Sequence, residues 1–314
     1  MKSTFKFMRD KMKIIFFGTP PSCINILNSL LKNHNIVSIV SKKQPEASKR
    51  RKFKVSEISL FASQNNIPYM DPSILDSKLE NQLKKMNPDL FLVCAYGKIL
   101  SNDFINIPTY GTINIHPSLL PKYRGPSPIQ STIINLDDKS GYTIIKMDKG
   151  IDTGDILFKS DPILLRKDEK YLDLLNFLLS ESSKGITQAI NNLINNKNID
   201  KQDNERASYT KLIKKSDGLI EWNSSAEKIE ARFRAFSTWP QSYSFHNNKR
   251  FKILDMEITN LESELCGKIS KFENNILVDT KTKKLSIKNI QFDGKKPVDA
   301  LAYFGNFDLL KTKL

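Results

Sequence analysis

Hydrophobic and polar positions alternate in two textures along this chain. From residue 13 to about residue 195, short apolar runs are separated by amphipathic stretches. Residues 13–17 read as a strand that stops at the turn Gly18-Thr19-Pro20, and Ile24, Leu27, Leu30 and Leu31 then share one helical face. Residues 36–40, 67–70, 89–94 and 111–115 predict further strands, with helices at 58–63, 76–86 and 129–135 and one long helix around 171–195. A strand–helix repetition of this kind predicts a parallel sheet covered on both faces, with its ligand crevice at the carboxyl ends of the strands. The polar stretch 196–206 reads as a linker. Beyond it a helix near 226–236 precedes short β-like runs at 241–245, 251–258, 267–270, 276–279 and 285–292, which predict a small barrel or sandwich. The division expected is 13–195, a linker at 196–207, and 208–314.

Composition narrows the class. The 314 residues are 39% hydrophobic and 26% charged, enough for packed cores. No apolar run approaches the roughly 18 residues of a membrane span. Three cysteines and three histidines, scattered, exclude a disulfide framework and a dense Cys/His zinc site. The setting expected is reducing and cytoplasmic, or an organellar matrix in a eukaryote. Residues 1–12 lack an apolar signal core, so they read as a short transit piece or as an upstream start ahead of Met12. The formal charge of +15 suggests a polyanionic partner, although codon bias in an AT-rich genome also raises Lys content. Distribution separates the two. Residues 42–54 hold Lys42, Lys43, Lys49, Arg50, Arg51, Lys52 and Lys54 against Glu46 alone. Codon drift scatters charge and does not cluster it.

The glycines exclude the commonest cofactors of such a sheet. No Gly-x-Gly occurs, so there is neither a dinucleotide fingerprint nor a phosphate-binding P-loop. Chemistry concentrates elsewhere. Asn114 and His116 stand two apart at the end of a predicted strand, so they share a face at the ligand edge. Residues 147–155 form a glycine-punctuated loop with three carboxylates, Asp148, Asp152 and Asp155, able to deliver one of them to a neighbouring strand end.

These residues, with the Ser118-Leu119-Leu120-Pro121-x-x-Arg124-Gly125 run between them, resemble the formyltransferases that use 10-formyltetrahydrofolate. The turn at 17–20, Ala95-Tyr96-Gly97, Asp152-Thr153-Gly154-Asp155 and Arg234-Ala235-Phe236 leading to Trp239-Pro240 extend the resemblance over nearly all of residues 13–314, and toward members acting on charged tRNA. The resemblance implies an α/β protein with a Rossmann-like parallel sheet domain and a smaller C-terminal β-barrel (OB-like) domain. It implies catalysis by Asn114, His116 and Asp152. Folate binding would involve Tyr96, Gly97, Lys98, Ile99, Leu100, Ser118, Leu119, Leu120, Pro121, Asp148 and Gly150. Charged initiator tRNA would be held by the cluster at 42–54 and by Arg124. A monomer with no metal and no membrane is expected.

The roles suit an amine attacking a formyl carbon. Asn114 and a protonated His116 would stabilise the developing oxyanion, and Asp152 would favour the imidazolium and take the proton of the amine. A nucleotide-sugar N-formyltransferase is the rival reading, since it shares the Asn/His/Asp set. A charge cluster like that of 42–54 weighs against it. Trp222 and Trp239 are expected as packing residues.

Overall fold

The computed structural model describes residues 11–43, 55–307 and 314. Lys49, Arg50, Arg51, Lys52 and Lys54 of the basic cluster lie outside the described residues. Among the described residues no helix is long and apolar enough to cross a membrane. The chain divides into two compact units that interleave along the sequence. One is made from Met1–Gly125, Ser140–Ile163 and Asn176–Tyr209, the other from Pro126–Lys139, Leu164–Leu175 and Thr210–Leu314.

The first unit holds a seven-stranded sheet. Its strands in chain order are β1 (Lys13–Gly18), β2 (Asn35–Val40), β3 (Tyr69–Met70), β4 (Leu90–Cys94), β5 (Thr112–His116), β6 (Thr143–Lys146) and β7 (Ile156–Lys159). The spatial order is β3-β2-β1-β4-β5-β6-β7. The first five strands pair in parallel, as the strand–helix pattern predicts, and β6 and β7 add an antiparallel hairpin to one edge. All five residues of β4 are buried, which is what a strand covered on both faces requires. Phe17, Phe91, Val93, Tyr96 and Leu100 form one cluster beside it. Each such side chain contributes roughly 1.5–3 kcal/mol on burial.

The helix expected around 171–195 is two helices, Tyr171–Ser182 and Ile186–Asn195. Periodicity alone misses the break. The hydroxyls of Ser182 and Ser183 return to the carbonyls of Leu179 and Ser180, competing with helix continuation. Gly185 follows, and a Cβ there would meet the Phe158 ring of β7 at 2.5 Å.

The second unit is built on an antiparallel sheet: β8 (Tyr243–His246), β9 (Lys249–Glu262), β10 (Ile269–Phe272), β11 (Asn275–Asp279), β12 (Lys283–Phe292) and β13 (Val298–Asp299). Its order is β8-β9-β12-β11-β10, with β13 paired to β12. The 14-residue β9 carries register shifts between Ile253 and Asp255, between Asp255 and Met256, and between Ile258 and Glu262, which bend a strand. Trp222 belongs to the core of this unit with Phe251, Ile276, Val278 and Leu285, and its indole donates to the Ser244 hydroxyl at 3.0 Å. Trp239, also expected to pack, is instead 52% exposed. Helix Pro128–Ile134 packs on helix Ala226–Ala235 here, so the sequence neighbours of the first unit supply part of the second.

Candidate active site

β5 lies between β4 and β6, with Asn114 opposite Val93 on one side and Ile145 on the other, and His116 opposite Thr143. Period-two alternation turns Asn114 and His116 the same way. The loop between β6 and β7 then brings Asp152 to both. The Asn114 amide Nδ2 donates to Asp152 Oδ1 at 3.3 Å, and His116 Nδ1 stands 3.4 Å from Asp152 Oδ2. The Gly125 backbone N–H donates to the same Oδ2 at 2.8 Å. The three residues that the sequence singles out therefore meet at one carboxylate.

Two backbone features make that approach feasible. Asp152 has φ 53°, in the left-handed region that costs most side chains about 1–3 kcal/mol but that Asp tolerates better than most. At Gly154 any Cβ would overlap the Lys146 carbonyl oxygen, so the loop can fold back onto the end of β6 only with glycine there.

The His116 ring is buried, with its side chain 5% exposed against 15% for Asp152. Its Nε2 lies 2.9 Å from the Tyr123 carbonyl, an acceptor, which fixes the hydrogen on that nitrogen. Nδ1 faces Asp152. Both ring nitrogens are thus turned to protein oxygens.

The expected folate residues separate by placement. Gly97, Ile99, Asp148 and Gly150 are exposed, and Ile99 is 87% exposed. Lys98, Leu119 and Pro121 are partly buried, and the Lys98 ammonium is spent on the carbonyls of Pro72 and Ser73 at 2.7 and 2.8 Å. Ser118 and Leu120 are buried. The Ser118 hydroxyl donates to the Lys122 carbonyl, and Leu120 is fully buried with Ile145 and Ile156, so their side chains hold the 118–125 run in place. Tyr96 and Leu100 are buried in one cluster, onto which Met147, the first residue of the acidic loop, also packs. The Tyr96 hydroxyl is buried without a hydrogen-bond partner among the described residues, and burial pushes its pKa up to about 12. An orphaned neutral donor at the carboxyl end of β4, next to Gly97 with φ 76° and open space around it, fits a polar heterocycle approaching that edge.

Arg124 corrects the expectation of an RNA contact. It is 1% exposed, and its guanidinium donates from Nε to Gln202 Oε1 at 2.9 Å, from Nη1 to the Tyr209 hydroxyl at 3.0 Å and from Nη2 to Asn204 Oδ1 at 2.9 Å. A side chain so enclosed cannot reach a phosphate. Lys42 and Lys43 are exposed, just past the end of β2. Gln202, Asn204, Tyr209 and the backbone groups of Tyr123 and Gly125 escape sequence reading altogether. They lie outside the strands and α-helices, where no periodicity marks them.

Residues 12–190 match the family model described as formyl transferase, and residues 212–307 match the formyl transferase C-terminal domain. The methionyl-tRNA formyltransferase of Sulfurihydrogenibium sp. is 35% identical over 295 residues, covering 91% of this chain and 94% of that one. That of Clostridium acetobutylicum is 34% identical over 297 residues, covering 93% and 96%. Among solved structures, the sugar 3N-formyl transferase WlaRD, determined in the presence of dTDP and 5-N-formyl-THF, superposes with a TM-score of 0.64 at 24% identity over 92% of this chain and 100% of its own. The N-formyltransferase of Helicobacter canadensis, in complex with folinic acid and dTDP-3-aminofucose, gives 0.63 at 24% identity over 90% and 99%. The likeness of the solved structures establishes the fold, and the sequence matches across both units establish that this chain belongs to the formyl transferase family.

Proposed function

We propose that this protein transfers the formyl group of 10-formyltetrahydrofolate to the α-amino group of methionyl-initiator-tRNA. The observation that carries the reading is the Asp152 carboxylate held by Asn114, His116 and the Gly125 N–H at the carboxyl end of β5. An α-amino group with an ordinary pKa near 8 arrives largely as ammonium and must lose a proton before it attacks. Asp152, the more exposed partner of the pair, accepts it. Nδ2 of Asn114 carries two hydrogens, so it can donate to the formyl oxygen as charge develops there while still holding Asp152. His116 fixes the carboxylate against the Tyr123 carbonyl and acts as a positioning residue.

The tRNA side of the reading is supported by relatives about 35% identical along more than 90% of the chain that carry the name methionyl-tRNA formyltransferase. It is also supported by topology. β1 to β5 run parallel, so the basic residues that follow β2 leave from the same sheet edge as the residues that follow β5. Purified protein offered 10-formyltetrahydrofolate with methionyl-initiator-tRNA, methionyl-elongator-tRNA or an amino-sugar nucleotide decides between acceptors. Formylation of the initiator species is expected, and formylation of the amino sugar alone would reject the reading. In the same assay, Asn114→Ala, His116→Ala and Asp152→Ala each lower turnover by about 10²-fold or more.

A further inference from the structure

The Asp152 carboxylate is placed by two stretches of backbone far apart in sequence: the β6–β7 loop that carries it, and the Tyr123-Arg124-Gly125 stretch that supplies the N–H and the carbonyl facing it and His116. Besides His116 and Asp152 themselves, the Gln202 side chain joins them. Gln202 Nε2 donates to the carbonyls of Asp152 and Gly154 at 2.8 and 2.7 Å, while its Oε1 accepts from Arg124 Nε at 2.9 Å. The amide can sit only one way round, because two carbonyls demand donors and a guanidinium demands an acceptor.

The segment bearing Gln202 is fixed at both ends. Asp200 pairs with Ile156 through two backbone hydrogen bonds of 2.8 and 3.0 Å. Ser208 accepts the Arg124 N–H at 2.8 Å through its carbonyl and the Tyr123 N–H at 2.9 Å through its hydroxyl. Within the stretch 196–207, expected as a linker, this segment straps the two backbones together.

We propose that Gln202 is a positioning residue for formyl transfer: by donating to the Asp152 and Gly154 carbonyls while accepting from Arg124, it locks the acidic loop to the Tyr123–Gly125 backbone and so aims the Asp152 carboxylate at His116 and Asn114. The proposal rests on the role given above to Asp152. Its donors, and not merely its bulk, carry the effect, because the left-handed backbone at Asp152 has its carbonyl turned toward Gln202 and needs a partner there.

Two substitutions separate donor from acceptor. Gln202→Glu keeps an acceptor for Arg124 and loses the paired N–H donors, whereas Gln202→Met keeps the length and loses both. Each is expected to lower kcat by about 10-fold or more with KM for both substrates changed less than about threefold, since misaimed catalytic groups cost rate before affinity. An independent readout needs no turnover. The chain has three histidines, His34, His116 and His246, and the imidazole nitrogen resonances of His116 should move in both variants while the other two stay.

Q202E with wild-type turnover beside an impaired Q202M would show that only the Arg124 hydrogen bond matters, and would overturn the proposal. Unmoved His116 resonances in folded variants would overturn it equally. Absence of formyl transfer by the wild-type protein would instead strike the functional reading, leaving the resonance test of the strap intact.

Discussion

Arg124 shows how far a residue's chemistry can depart from its appearance in sequence. An arginine beside a glycine in a loop near basic residues invites a phosphate, yet this one is enclosed by three acceptors of its own chain. Arg124→Ala should destabilise the protein by about 2–4 kcal/mol in denaturant unfolding, because charge-assisted hydrogen bonds disappear and the Gln202 and Asn204 oxygens are left without their donor. It should leave the salt dependence of tRNA binding unchanged, which a phosphate-binding arginine could not. Tyr96 offers a second test. With its hydroxyl unpartnered among the described residues, Tyr96→Phe should leave the unfolding free energy at pH 7 unaltered within about 0.5 kcal/mol. Burial raises the pKa of Tyr96 to about 12, above the ordinary 10, so the folded state favours the neutral phenol. That stability is whole below pH 10 and is lost as pH climbs toward 12. Tyr142 is raised to about 12 as well, chiefly by burial, so the phenylalanine variant should show a smaller alkaline decline and not its abolition. Asn114 and His116 are legible because a two-residue spacing on a strand fixes their common face. Gln202 is not, since its role depends on two backbone carbonyls that no residue identity reveals.

Elements are legible wherever apolar residues run consecutively or recur with a helical period. The apolar runs that become β1, β2, β4 and β5 carry their signal in five or six consecutive residues, and helix Ser77–Lys85 shows capping by Asp76 as well as an apolar stripe. The antiparallel hairpin of β6 and β7 is weaker in sequence, because each strand has four residues and the loop between them is polar. The split of the helix around 171–195 is hidden for a different reason. Both halves share apolar periodicity, and the break is enforced by serine hydroxyls and by packing of Phe158 on Gly185. Gly185→Ala places a methyl group against that ring. It should cost about 1–3 kcal/mol in thermal or denaturant unfolding, through displacement of Phe158 and not through backbone strain. A variant as stable as wild type would mean that the ring yields without loss.

Across the whole molecule, charge and connectivity are legible to different degrees. The C-terminal stretch from residue 208 has 19 basic against 13 acidic residues, an even surface excess, whereas 42–54 concentrates a net +6 in a short run. Lys49→Ala, Arg50→Ala and Arg51→Ala combined should raise the tRNA concentration for half-maximal rate and flatten its dependence on salt, since every phosphate that loses its cationic partner takes close to one released counterion out of the slope. Half-saturation by 10-formyltetrahydrofolate should stay the same. An unchanged salt slope would identify the cluster as a solvated loop. Connectivity is less legible. A division at 196–207 follows from composition, but composition is blind to helix Pro128–Ile134 taking its packing partner from residues about a hundred positions later.

That interleaving sets a timetable for the chain as it is made. The first unit is complete only when residues through Tyr209 exist, because Gln202 and Ser208 close over backbone laid down near residue 124. Helix Pro128–Ile134, already synthesised by then, still lacks Ala226–Ala235. At about 5–20 residues per second, its apolar face waits several seconds before a partner emerges. Ile129 and Ile133, 2% and 4% exposed in the finished protein, are bare during that interval. For a nascent chain this is the period in which a chaperone or a protease has its opportunity, and it ends only when a helix from beyond the strap arrives.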